Sequence, residues 1–373
     1  MTFHVRWLLF LYCLSLFARP VLAEPNTDTK KRIGYLEAGL LSTFTETMRA
    51  TRNALQQHGW VAKLELPKDA CFSPGWEPDK KKLVPEKAKE LMSRNDLDLI
   101  IGGGTSAVRS LLEYNNHRVA IVGVAVSDPV KSVYMLDNKE STFVASEQDS
   151  GIDNFTIRIV PNQYRKMFEI FYDEVGFKKL GLLYVDEKNK NNVSSVDDAY
   201  EVSKSGRHFE IIEQRIENPK TDDCYKGIET LIKGGMDAFF IPSLSCFDWD
   251  ELDPEKANPA LLLKLLRDKK IRTFSKQGSR DVQGGAMMAL STVNYTDRGE
   301  FTAESIIEIL GNHKKPRDLP MKDDAPPKIT LNLEAAQEVG FSFSFDVLGA
   351  SDELYEKITT PEKNPLISVC DLL

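Results

Sequence analysis

Two successive series of short apolar runs alternating with helical stretches constrain this chain more than any other feature. RIGYLEA (32–38), VAKLEL (61–66), DLDLIIG (96–102) and RVAIVGVAV (118–126) make the first series. KLGLLYV (179–185), FEIIEQRI (209–216), MDAFFIP (236–242), IRTFS (271–275) and GAMMAL (285–290) make the second. Several are continuously apolar, as parallel strands covered on both faces must be. Between them, FTETMRATRNALQQHG (44–59) sets Phe44, Met48, Thr51 and Leu55 on one stripe and stops at Gly59. PNQYRKMFEIFYDEVG (161–176) repeats the device between Pro161 and Gly176. This alternation predicts an α/β fold with parallel sheets.

The two series also share an order. Each opens on a strand that leads into a helix and then a strand after a glycine turn, HGW in one and SGR in the other. Asp98 before LIIGGG has its counterpart in Asp237 before AFFIPS. The order predicts two Rossmann-like lobes. Open α/β sheets bind ligands beyond the carboxyl ends of their strands, so two facing lobes make a cleft there that closes by hinge motion. In the first lobe those ends carry Ser42 and Thr43, then Gly104, Thr105 and Ser106, then Ser127 and Asp128. In the second they carry Asp186, Ser243, Ser245 and Lys276. Such small hydroxyl and charged groups suit a small polar solute.

Each candidate has two readings. Thr105 and Ser106 open a helix over AVRSLLEYNN, where hydroxyls and free N–H groups form an anion site of carboxylate size or a plain N-cap. Asp128 is an acceptor for a ligand ammonium, or turn chemistry in SDP. Ser42 and Thr43 face the ligand or cap the helix starting near Phe44. Phe72, Trp76, Phe247 and Trp249 lie in two long segments, 66–82 and 243–259. They stack on a ligand or pin those loops to the body. Asp186 faces the cleft by the repeat logic, although VDEKNKNN reads as an exposed loop.

The remaining features bound the class. MTFHVRW, the apolar run Trp7 to Ala18 and the small residues up to Ala23 read as a cleavable signal over residues 1–23, with an uncleaved anchor as the alternative. Export would leave Cys71, Cys224, Cys246 and Cys370, which allow disulfides in three pairings or free buried thiols. The net charge of −8 argues against a nucleic-acid partner. DWDELDPE (248–255) does not follow the EF-hand ligand order, and the five scattered His offer no zinc pattern. No nucleophile-elbow or HExxH motif occurs. DLIIGGGTSA (98–107) does fit a loose dinucleotide fingerprint through Gly102, Gly104 and Ala107, with Asp128 as the ribose acid. However, it ends the third strand rather than the first, so no cofactor is expected and an NAD-dependent enzyme is the remote alternative.

RIGYLEAG, IGGGTSAV, VGVAVSDPV, GGMDAFFIPS, VQGGAMMALSTVNYTDRGEFTAESIIEILG and ITLNLEAAQEVGFSF together resemble the substrate-binding proteins of ABC importers. The similarity is to the branch with a type I periplasmic-binding fold that includes tryptophan- and tyrosine-binding members. It implies a first lobe over 31–155 with a return at about 285–325, and a second over 156–284 with a return at about 326–358. Residues 359–373 would be a tail. It also implies a periplasmic, monomeric, non-enzymatic protein that closes on a small molecule, an amino acid by preference. The partners would be an ABC permease and ATPase, with the membrane met only through the permease. A periplasmic sensor serving a membrane receptor uses the same fold and is the alternative. In the amino-acid reading Thr105 and Ser106 hold the carboxylate, Asp128 takes the ammonium, and Trp76 and Trp249 cover the side chain.

Overall fold

A computed structural model describes residues 30–76, 78–185, 193–276, 278–291, 294–324, 327–364 and 367–372. The expected signal at 1–23 and the site candidate Asp186 lie outside them. From Lys31 onward the chain forms one compact unit. Among the described residues no helix is long and apolar enough to cross a membrane.

The first series builds a parallel sheet. Its strands are β1 (Lys31–Glu37), β2 (Leu64–Glu65), β3 (Cys71–Phe72), β4 (Leu99–Gly103), β5 (Ala120–Val124) and β8 (Phe155–Ile157), in the order β2-β1-β4-β5-β8 with β3 also on β1. β6 (Val133–Leu136) and β7 (Lys139–Thr142) form a separate antiparallel hairpin. The helices of this region are α1 (Ser42–Gln57), α2 (Leu83–Ser93) and α3 (Gly104–Glu113). Side chains alternate across the sheet as a two-residue period requires. Ile33, Tyr35, Leu99 and Ile101 face one core with Met48 and Leu55, whereas Leu36, Ile100 and Ile121 face the other with Val108 and Leu111. The run 61–66, expected to be a strand, is a 3-10 turn over Val61–Lys63 followed by only two paired residues.

The second series repeats the plan with α4 (Gln163–Val175), β9 (Lys179–Val185), α5 (Val193–Lys204), β10 (Glu210–Ile216), α6 (Thr221–Lys233), β11 (Ala238–Ile241), α7 (Pro259–Asp268), β12 (Arg272–Ser275), α8 (Ser279–Gln283) and β13 (Met288–Ser291). With β14 (Lys328–Asn332) and β15 (Glu353–Tyr355), the second sheet runs β10-β9-β11-β12-β13-β14-β15, parallel except between β13 and β14. Phe168, Phe171, Phe240 and Phe274 fill one face of it. Each such ring removed from water contributes about 2–3 kcal/mol. Helix α4 ends as expected at Gly176, but it begins at Gln163 behind Asn162 in the left-handed region, not at Pro161.

Up to β14 the chain passes between the lobes three times, and its carboxyl-terminal tail then crosses back to the first lobe. It leaves β8 for α4. After β13 it returns through α9 (Tyr295–Leu310), whose Ala303, Ile306 and Ile309 enter the core of the first sheet. A Cβ on Gly299 would lie 2.5 Å from the Ala50 backbone, so α9 and α1 touch there because the residue is glycine. It crosses again between Met321, packed in the first lobe, and β14. The run 285–290, expected to begin the return to the first lobe, instead leads into and forms most of β13 (Met288–Ser291) of the second sheet. The crossing comes after it. Met287 and Met288 are core, as their apolar run suggested.

Among the described residues the four cysteines form Cys71–Cys370 and Cys224–Cys246. The first ties the carboxyl-terminal tail to β3, and the second holds the 243–259 segment against α6.

Candidate functional site

A cavity of about 140 Å³ opens where the carboxyl ends of the two sheets meet. The turn after β5 contributes Ser127, Asp128 and Lys131. The first crossing supplies Arg158 and Tyr164, the second lobe Asp198, Ser243 and Lys276, and the second crossing Tyr295 and Arg298. An apolar cavity of about 150 Å³ takes up benzene, so this one accommodates a solute of single-ring size.

The cleft is bridged from lobe to lobe. Lys131 Nζ donates to Asp198 Oδ1, and the backbone N–H of Ser42 donates to Asp248 Oδ2 at 3.4 Å. At the hinge, Gln163 Nε2 donates to the Ser127 carbonyl at 2.9 Å. These contacts draw the lobes together over the cavity, a closed arrangement.

Charge in the cavity falls into two groups. Around the β5 turn, Asp128 accepts the backbone N–H of Lys131 at 3.1 Å. Burial raises its pKa, against the pull of these backbone bonds and the Lys131 charge. Asp198 is raised in the same way by burial, which its bond to Lys131 opposes. Around α9, Arg298 is pushed down to about 10 by burial, aided by repulsion from Arg158, and only the Tyr295 and Tyr164 hydroxyls act the other way. Although the residue keeps some exposed surface, Arg298 Nη1 is closed off from water and has no hydrogen-bond partner among the described residues. The other cations are engaged. Arg158 Nε donates to Asp323 at 2.6 Å, and Lys276 Nζ donates to Tyr164 Oη at 3.0 Å while lying 4.7 Å over its ring.

Of the residues singled out from the sequence, Thr43, Ser127, Asp128, Ser243 and Lys276 line this cavity. Thr43 also meets Tyr295 Oη at 3.4 Å. Ser42 stands at the start of α1 and contributes its backbone to the bridge on Asp248. Neither it nor Thr43 makes a side-chain cap, which falls to no side chain at Leu41.

The other candidates sit elsewhere. Gly104, Thr105 and Ser106 do start a helix, α3, but they are not among the lining residues. Gly104 has φ +80°, and a Cβ there would fall 2.6 Å from the Phe44 ring. Phe44 therefore lies over the α3 terminus, with Trp76 stacked on it at 6.4 Å. Trp76 donates its indole N–H to the Leu40 carbonyl at 2.7 Å, pinning its own loop. Trp249 is 6% exposed and donates to the buried carboxylate of Asp281 at 2.8 Å. Ser245 Oγ donates to the Pro219 carbonyl at 2.9 Å and fastens the same segment.

Arg298, Tyr295, Tyr164, Lys131 and Asp198 were not singled out from the sequence. Arg298 did carry a signal: it stands in the first turn of a capped helix, where the helix dipole disfavours a cation.

No protein-family model matches the chain, and no curated protein sequence does. Solved structures do match. The ABC domain from Streptococcus pneumonia in complex with L-Trp gives a TM-score of 0.66 at 18% identity, over 86% of this chain and 99% of that one. A conserved domain protein from Vibrio cholerae gives 0.68 at 17% identity, over 87% and 99%. An ABC transporter solute-binding protein from Agrobacterium vitis with bound allitol gives 0.55 at 13% identity, over 83% and 97%. At these identities the likeness is one of fold, and the fold is the two-lobed type I periplasmic-binding architecture.

Proposed function

We propose that this chain, with its type I periplasmic-binding fold, captures a small solute by lobe closure and delivers it to an ABC importer. The observation that carries the reading is the cavity of about 140 Å³ lined from both lobes and from the crossings between them. A solute touching both lobes binds the closed state better than the open one. That difference in affinity is what shifts the population. The signal-like residues 1–23 place the protein outside the cytoplasm in this reading, where its disulfides persist.

Within that function we favour an amino acid. Asp128, half-buried and held by its own turn, offers a carboxylate to an ammonium group, and Ser127, Ser243 and Thr43 offer hydroxyls. The side chain would rest among Tyr164, Met167 and Val126. Thermal-shift measurements with the L-amino acids, hexoses and polyols test the assignment. At least one amino acid should raise Tm, with calorimetry giving a saturable Kd. Stabilisation by a sugar or polyol alone would overturn the amino-acid class. Stabilisation by no solute would overturn capture itself.

A further inference from the structure

We propose that Arg298 is the anion anchor of the cleft, its guanidinium group pairing with a carboxylate carried by the solute. The inference rests on the solute-capture reading above and names the group that reading leaves without a partner. Thr105 and Ser106, the carboxylate holders expected from the sequence, are absent from the cavity lining.

Three observations carry it. Arg298 lines the cavity, and Nη1 is buried without a hydrogen-bond partner among the described residues. A buried guanidinium group left unsatisfied is destabilising, because desolvation is not offset by any pairing. Second, its position works against folding. It sits in the first turn of α9, where the dipole repels a cation, and beside Arg158, a like charge. Among the described residues no carboxylate offsets that charge by an ion pair. Third, the neighbouring cations already have partners: Lys131 in Asp198, Arg158 in Asp323, and Lys276 in the Tyr164 hydroxyl and ring.

The charge count selects the class of anion. Arg298 and Lys276 have no carboxylate partner among the described residues, Lys276 being engaged by the Tyr164 hydroxyl and ring, in a cavity that also holds Asp128, Asp198 and Glu147. A dianionic phosphate would set two further negative charges beside Asp128 and Glu147, whereas a single carboxylate matches the charge of Arg298. With Asp128 in the other charge group, the arrangement fits a solute that is anionic at one end and cationic at the other. Planar, forked N–H donors are also suited to a carboxylate.

The test compares wild type with Arg298→Gln and Arg298→Lys, using each L-amino acid, its carboxamide and mannitol as probes. Wild type should prefer an acid over its carboxamide by on the order of 100-fold in Kd, the scale of a buried charge pair losing one partner. In Arg298→Gln that preference should vanish through weaker binding of the acid, and Arg298→Lys should restore part of it. The ligand-free Arg298→Gln protein should melt no lower than wild type, since an unsatisfied charge has been removed. A lower Tm for it, or an acid preference that survives, would overturn the anchor. If mannitol stabilises wild type and Arg298→Gln equally and no amino acid does, the anchor fails while solute capture stands. No shift by any probe overturns both.

Discussion

Glu37 shows how much one buried side chain can determine. It is 1% exposed at the end of β1 and accepts hydrogen bonds from Tyr35 Oη and Ser73 Oγ, both at 2.6 Å. Burial raises its carboxyl from an ordinary 4.5 to about 7, against the opposing pull of those two bonds. The folded state therefore holds a proton that the unfolded chain releases. The resulting stabilisation is complete below about pH 4.5 and is lost as pH rises through about 7. Its full size is about 3 kcal/mol. In Glu37→Gln, Tm should fall less between pH 4.5 and 7.5 than in wild type, and at pH 7.5 the variant should be at least as stable. Parallel Tm–pH curves for the two proteins would assign the slope to other groups. The same residue scale explains DLIIGGGTSA. A need for small residues is legible in the run, but the reason is not. Phe44 comes from another helix to lie over Gly104, a long-range contact that local spacing does not encode.

At the scale of elements, strand and helix order was readable because periodicity is a local property. β9 spans the expected 179–185, and β1 and β10 fall within one residue of expectation. The short edge strands β2, β3 and β15 carry too few residues to show a period. Segment 243–259 was harder to read, because a tryptophan in a polar loop suits either a ligand or a core. Here the core receives it. Trp249 packs with Leu262 and Val282, and a Cβ on Gly284 would collide with its ring. Trp249→Phe keeps most of that packing but leaves the buried Asp281 carboxylate short of a donor. The expected cost is about 1–3 kcal/mol in chemical denaturation, with solute Kd unchanged. A large loss of affinity at unchanged stability would instead return Trp249 to the ligand site. Helix α9 poses the converse problem. Its residues entered the sequence reading only through the family resemblance, and only the tertiary crossing brings Arg298 to the cavity.

Whole-molecule behaviour depends on how firmly the closed cleft is held. Lys131 and Asp198 span it as an ion pair, with Asp198 8% exposed at the side chain and Lys131 39%. Burial raises Asp198 despite Lys131, so the carboxylate sits there at a desolvation cost that the pair only partly offsets. The net gain is small, as the reopening of the cleft in the proposed function requires. The tail adds a further tie, since Cys370 is bonded to Cys71 in the first lobe while Thr359 N donates to the Gln283 carbonyl in the second. Asp198→Asn removes the ion pair while leaving Lys131 able to reach water, so no buried charge is stranded. The ligand-free variant should show a larger radius of gyration by small-angle scattering than wild type. With saturating solute the two profiles should converge, because solute contacts to both lobes still favour closure. Solute Kd should weaken by about 1 kcal/mol, roughly fivefold, the upper range for a partly exposed pair. Identical scattering and identical Kd in the variant would show that the ion pair takes no part in closure. The hinge and the tail would then set the closed state on their own.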